Sequence, residues 1–168
     1  LRDGITKKWR YRELPELSSN GKNYDKAGML DDLENLLEDS VGRQLVADVP
    51  VGVLLSGGVD SSFITALAFR ASSSVKTFTI RFPDYAQYDE TEHARLIADH
   101  FKTDHIELEA DKIEVDLLPK LAFQFDEPIV DSSMIPTYLL STLVKEHCKV
   151  ALGGDGGDEL FGGYEHYN

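Results

Sequence analysis

The sequence predicts an α/β domain built on a parallel, twisted sheet with helices on both faces. Three observations lead there. Short apolar runs rich in β-branched residues ("VGVLL", "VKTFTIRF", "HIELEA", "KVALGG") alternate with segments whose apolar positions recur every three or four residues. Strands joined through helices pair in parallel, because a parallel neighbour needs a crossover rather than a hairpin. The 168 residues, 42% of them hydrophobic, are enough for one sizeable core. Right-handed crossovers are expected.

In chain order, residues 1–24 are polar and turn-rich. "SSNGKN" reads as a loop, and "KKWRYREL" as either a short edge strand or an ordered linker. A helix is expected from about Asp25 to Ala47, with Leu30, Leu33, Leu37, Val41 and Leu45 forming one inward stripe. "VGVLL" after Pro50 is a buried strand, Ser56 to Val59 a tight turn, and Asp60, Ser61 and Ser62 are expected to cap a helix running to Arg70. A second strand follows at 75–82. The helix from Asp89 to Phe101 turns Ala94, Ile97, Ala98 and Phe101 inward, and a third strand spans 105–110. Two helices are expected near 112–125 and 133–147, the first distorted at Pro119. A fourth strand from Lys149 runs into "DGGDELFGGY".

The net charge of -13 argues against a nucleic-acid binder, which needs a basic face to neutralise phosphates. No apolar run reaches the roughly 20 residues of a membrane span, and no leader pattern opens the chain. Cys148 is the sole cysteine, so no internal disulfide forms; it reads as a core thiol in a reducing, cytoplasmic setting. A start at Leu1 is expected of a piece of something longer. Spacing makes His93 and His100 a poor metal pair, while His105 is expected to hydrogen-bond at a strand start and His147 to sit in a helix's last turn. Asp126, Glu127, Asp131, Ser132 and Ser133 flank Pro128 in a loop that either lines an acceptor pocket or is plain surface.

Two glycine-rich segments follow strand ends, Ser56–Val59 and Gly153–Gly157. If strands one and four are neighbours, both meet in one crevice, where α/β sheets bind ligands. The first is neither a Walker loop, since the lysine of G-x-x-x-x-G-K-(S/T) is missing, nor a dinucleotide fingerprint. It offers free helix amides and hydroxyls to an anion. The carboxylate of Asp60 has a role there if the anion carries a divalent cation, because Mg²⁺ takes carboxylate together with phosphate oxygens. Asp60 and Asp158, from different strand ends, could share that ion.

"SGGVDSS" after a buried strand resembles the pyrophosphate loop of the N-type ATP pyrophosphatases. "GGDGGDELFGGY" resembles the S-G-(E/D)-G-(S/G)-D-E-(L/V)-F-G-G-Y signature in the synthetase domain of the glutamine-dependent asparagine synthetases. "YDETEHARLIADHF", "TDHIEL", "FDEP" and "PTYLLS" follow the same family pattern in order, so the resemblance covers roughly residues 25–168. It implies an adenine nucleotide alpha hydrolase-like fold, with 25–168 as the first part of the ATP-pyrophosphatase domain and 1–24 as the linker from an absent glutaminase domain. It implies an ATP-dependent carbon–nitrogen ligase that adenylates the aspartate side chain and then transfers ammonia, giving asparagine, AMP and pyrophosphate. Ser56, Gly57, Gly58, Asp60, Ser61 and Ser62 would cradle phosphates, Leu54 and Ile80 bracket adenine and ribose, and Gly153 and Gly154 contact the nucleotide. Asp60 and Asp158 would hold Mg²⁺, and Asp155 would take the acidic catalytic position. Studied members have glutamate there; this chain's aspartate is one methylene shorter. The family also uses a later segment, so the isolated chain is expected to synthesise little amide. Related amidotransferases acting on sugar acids, peptides or β-lactam precursors, and an inactive nucleotide-binding fragment, are the alternatives.

Overall fold

In the computed structural model, residues 4, 6–11, 13, 25–72, 74–83, 89–110, 116–127, 131 and 133–167 are described. Four strands, β1 (Val51–Leu54), β2 (Lys76–Arg81), β3 (Asp104–Glu109) and β4 (Val150–Leu152), form one parallel sheet in the order β3-β2-β1-β4. The chain steps outward from β1 to β3 and then crosses back to the free side of β1. Strand order therefore reverses between β1 and β4, with Val51 opposite Val150 and Val53 opposite Leu152.

Alternation along β1 sends neighbouring side chains into two different cores. On one face Val53 and Leu152 pack with Leu67 and Ala68 of α2 (Val59–Ala71) and Val41 of α1 (Lys26–Gln44). On the other, Leu54, Phe78, Leu108 and Ala151 meet Leu140, Leu143 and Val144 of α5 (Met134–Val144), with Cys148 beside them. Helix α3 (Thr91–Phe101) buries Ala94 and Ala98 with Leu55. The expected sheet, covered on both faces, is what folds. As read from the sequence, Cys148 is a core thiol, and burial raises its pKa.

Local rules account for most boundaries and for several corrections. Asp25 caps α1, its carboxylate accepting from the Ala27 amide at 3.2 Å. The stripe of α1 is only partly inward: Val41 is buried and Leu37 and Leu45 pack against it, but Leu30 is 56% exposed. Helix α2 is capped by Gly58, with no side-chain cap bond, so Asp60, Ser61 and Ser62 lie in its first turn rather than at its cap. Pro119 does not distort α4 (Leu117–Phe125), because it falls in the first turn, where a missing amide costs no bond. "DGGDELFGGY", expected as a turn, contains a short helix α6 (Gly157–Phe161) and a 3-10 turn (Glu165–Tyr167). Residues 6–10 form no strand, and Trp9 and Tyr11 are exposed. "SSNGKN", and Pro128 and Ser132 of the loop after α4, lie outside the described residues.

His105 bonds where the sequence placed it. Its Nδ1 lies 2.9 Å from the hydroxyl of Thr77, which also meets Thr103 at 2.8 Å. Burial pushes its pKa below 6.5. His147 follows the end of α5 and packs its ring on Phe78 at 5.6 Å. Among the described residues no cluster of three or more metal-ligating side chains occurs. No helix among them is long and apolar enough to cross a membrane.

Candidate functional site

A cavity of about 580 Å³ opens at the carboxyl ends of β1 and β4. Its three walls come from separate parts of the chain. Leu54, Phe78, Ile80 and Phe82 at the ends of β1 and β2 face Pro136, Thr137 and Leu140 on one side of α5, forming an apolar slot. Ser56, Gly58, Asp60 and Ser61 supply the loop and the start of α2. Gly153 to Gly156, Asp158, Glu159 and Tyr164 supply the third wall.

The loop after β1 is tied internally. Ser61 Oγ accepts from the Ser56 amide at 3.2 Å and donates to the Gly58 carbonyl at 3.3 Å. Its 2.9 Å bond with Ser56 Oγ therefore uses the Ser56 proton, and Ser56 Oγ in turn accepts from the Gly58 amide at 3.2 Å. The hydroxyls thus hold the loop in shape. Ser62 donates the first intrahelical amide, to Gly58 O at 3.0 Å. The amides of Val59, Asp60 and Ser61 precede it, at a helix start that favours an anion.

The electrostatics of the walls run the other way. Asp60, Glu90, Asp155, Asp158 and Glu159 all border the cavity, and no lysine, arginine or histidine does so among the described residues. Asp60 is held against the tail: a side-chain carbon built on Gly157 would lie 2.5 Å from Asp60 Oδ2, and Asp158 is the next residue. A polyanion would be drawn to the helix amides and repelled by these walls unless a cation came with it. The carboxylates of Asp60 and Asp158, hard oxygen donors that follow two strand ends and line the same cavity, are of the kind that suits Mg²⁺, which binds through one or two carboxylates plus phosphate.

The profile of the asparagine synthase family matches residues 32–168. The chain belongs to that family. A putative asparagine synthetase (glutamine-hydrolyzing) 2 of Methanocaldococcus jannaschii is 38% identical over 161 residues, covering 94% of this chain and 30% of the relative. Asparagine synthetase (glutamine-hydrolyzing) 1 of Bacillus subtilis is 38% identical over 140 residues, covering 83% and 22%. The chain thus spans less than a third of the length of these relatives. An NH3-dependent NAD synthetase of Campylobacter jejuni, solved with nitrate, superposes with a TM-score of 0.50 over 80% of this chain and 60% of that one. At 18% identity that likeness speaks for the fold alone.

Within this member of the family, the residues given a nucleotide, metal or catalytic role from sequence converge on the cavity wall, with two exceptions, while Asp126, Glu127, Asp131 and Ser133 do not line it. Gly57 turns its back on the cavity, with φ +86, and a side-chain carbon there would lie 2.7 Å from the Ala94 amide. It is the point where the loop touches α3. Ser62 is also off the wall, its Oγ buried without a partner among the described residues. Sequence reasoning gave no site role to Glu90, Glu159, Tyr164 or the α5 face. All of them lie inside strings that follow the family pattern, Glu90 in "YDETEHARLIADHF", the α5 residues in "PTYLLS", and Glu159 and Tyr164 in "GGDGGDELFGGY", so a signal was available for each.

Tyr164 donates its hydroxyl to Glu159 Oε1 at 2.7 Å. That bond, with the carboxylate's charge behind it, pushes the phenol up to about 12, and it lowers the Glu159 carboxyl in return. A pKa raised on folding adds stability below the free phenol's 10.0 and loses it as pH rises through about 12. Ultraviolet titration should therefore find one late phenol with a midpoint of about 12 that is absent from Tyr164→Phe and moves toward 10.0 in Glu159→Gln. A Tyr164 titrating with the other tyrosines would mean that Glu159 does not hold it.

Proposed function

We propose that this chain is the nucleotide-binding part of an asparagine synthetase (glutamine-hydrolysing), acting in the cytoplasm as an ATP-dependent carbon–nitrogen ligase. Residues 25–168 belong to its ATP-pyrophosphatase domain, and 1–24 are the linker from a glutaminase domain that supplies ammonia. Aspartate is the acceptor. A carboxylate oxygen attacks the α-phosphate of ATP, pyrophosphate leaves, and ammonia then displaces AMP to give asparagine.

The observation that carries this reading is the cavity at the strand reversal, where both glycine-rich ends meet an apolar slot. The slot between Leu54, Ile80 and Leu140 suits a flat base. The amides at the start of α2 suit the β- and γ-phosphates. Gly153 and Gly154 lie against the same space. Asp60 and Asp158 would hold Mg²⁺, which neutralises phosphate charge when bound. Asp155 lies on the wall at the acidic catalytic position and is exposed, free to meet a second substrate. Catalysis of phosphoryl transfer is mostly positioning and charge neutralisation, which these groups are placed to provide.

Calorimetric titration with ATP, with and without Mg²⁺, tests the reading. Saturable binding that requires the metal is the expected result. A folded chain that binds ATP equally well in EDTA, or not at all in Mg²⁺, would refute it.

A further inference from the structure

We infer that Gly157 and Gly163 are positioning residues: each is a seat for one carboxylate, Gly157 for Asp60 and Gly163 for Asp158. The inference rests on the nucleotide site proposed above and explains why its tail is so rich in glycine.

The tail holds six glycines, and backbone conformation accounts for only two. Gly156 and Gly162 have φ of +91 and +71 and flank α6 at its two ends. Gly153, Gly154, Gly157 and Gly163 have ordinary backbone angles that any residue adopts. Yet a side-chain carbon on any of these four would run into an acidic side chain: Asp155 at Gly153, Asp60 at Gly154 and Gly157, Asp158 at Gly163.

The last two seats concern the carboxylate groups of the two proposed metal ligands. At Gly157 the added carbon would lie 2.5, 2.6 and 3.0 Å from Oδ2, Cγ and Oδ1 of Asp60, so the carboxylate lies flat on bare backbone. At Gly163 it would lie 2.9 Å from Cγ of Asp158 and closer still to Oδ1. The Gly163 amide also bonds the Asp158 carbonyl at 3.0 Å, which fixes the seat relative to its occupant. Asp60 belongs to α2 and Gly157 to α6, so this contact sets the separation of the two strand ends. One methyl group at either glycine must displace a carboxylate, and a cation bound by two ligands tolerates little displacement.

Two measurements test this. First, Gly157→Ala and Gly163→Ala should raise the Mg²⁺ concentration that half-supports ATP binding by roughly 10–100-fold. Gly162→Ala, strained in its backbone but touching no carboxylate, should lower the melting temperature and leave the Mg²⁺ requirement alone. Second, a double-mutant cycle read by thermal melting needs neither metal nor nucleotide. Gly157→Ala should change the melting temperature less favourably with the Asp60 carboxylate present than in an Asp60→Ala background, because only in the former must the added methyl move that carboxylate. If Gly157→Ala does not fold alone, recovery of the fold by the double variant supports the seat. An unchanged Mg²⁺ requirement in both alanine variants, or an equal melting loss with and without the Asp60 carboxylate, would overturn it. Absence of metal-dependent ATP binding in the unmodified chain defeats the nucleotide site itself, a result that the metal-free cycle separates from failure of the seats.

Discussion

Asp60→Ala is expected to weaken ATP binding in Mg²⁺ by on the order of 100-fold, about 2.7 kcal/mol, and to leave binding in EDTA unchanged or slightly tighter. The two signs follow from one arrangement. Asp60 stands at the start of α2, beside amides that attract phosphate, on a wall with Glu90, Asp155, Asp158 and Glu159 and no described cation. Without metal its charge repels a polyanion, and removing it relieves that repulsion. With metal the same charge is a ligand whose loss leaves Asp158 to hold the ion with solvent. Asp60→Asn keeps the shape, and the Cβ packed against Gly154, but loses the charge, so it should behave as Asp60→Ala does. Titrations of the three proteins under both conditions check this. Equal weakening with and without Mg²⁺ would show that Asp60 shapes the loop rather than holding a cation.

How far the sequence reveals such a site depends on the range of the forces involved. The strands were legible because β-branched runs between turn residues have few other stable arrangements, whereas the adjacency of β1 and β4 stayed conditional until the sheet order was known, since parallel pairing alone does not fix it. The pattern of α3 was legible as well: Ala94 and Ala98 are buried and Ile97 partly so. Helix α1 shows where periodicity stops. Leu30 and Val41 lie on one stripe, yet only the latter is buried, packed with Leu67 and Ala68 of α2. Helix α6 was hidden by composition. Glycine costs a helix interior up to about 1 kcal/mol, so "GGDELFGG" reads as a turn until Gly156 and Gly162 are found at its ends.

The candidate site divides along the same line. Asp60, Ser61, Gly153 and Asp158 were legible as letters of two motifs, each local in the chain. Glu90 and the α5 face reach the cavity only through tertiary packing; "YDETEHARLIADHF" and "PTYLLS" contain them, but those strings do not say which of their letters face it. Gly57 shows the opposite case. Its place in a phosphate-loop motif hid a second duty, the close approach to His93 and Ala94 that lets α3 pack beside the loop.

Phe78→Ala should cost about 3–5 kcal/mol, the cost of emptying a fully buried aromatic site, and lower the melting temperature by roughly 10 °C. Phe78 has 0% exposure and lies on the central strand β2, opposite Leu54 of β1 and Ile106 of β3. Its ring fills the space left by the missing side chain of Gly52 and packs on His147 and against the core that holds Val144 and Cys148. Phe78 lies behind the cavity wall with no accessible surface of its own, so the core under α5 supports the slot from below. Phe78→Leu, which keeps most of the volume, should cost under about 1.5 kcal/mol and retain ATP binding, whereas Phe78→Ala should lose both stability and affinity. Urea unfolding of both variants, with ATP titration under conditions where each is folded, checks the pair. A loss below about 1.5 kcal/mol in Phe78→Ala would mean that α5 closes over the vacated volume. A fully stable variant with lost affinity would place Phe78 in the slot but outside the support of the sheet.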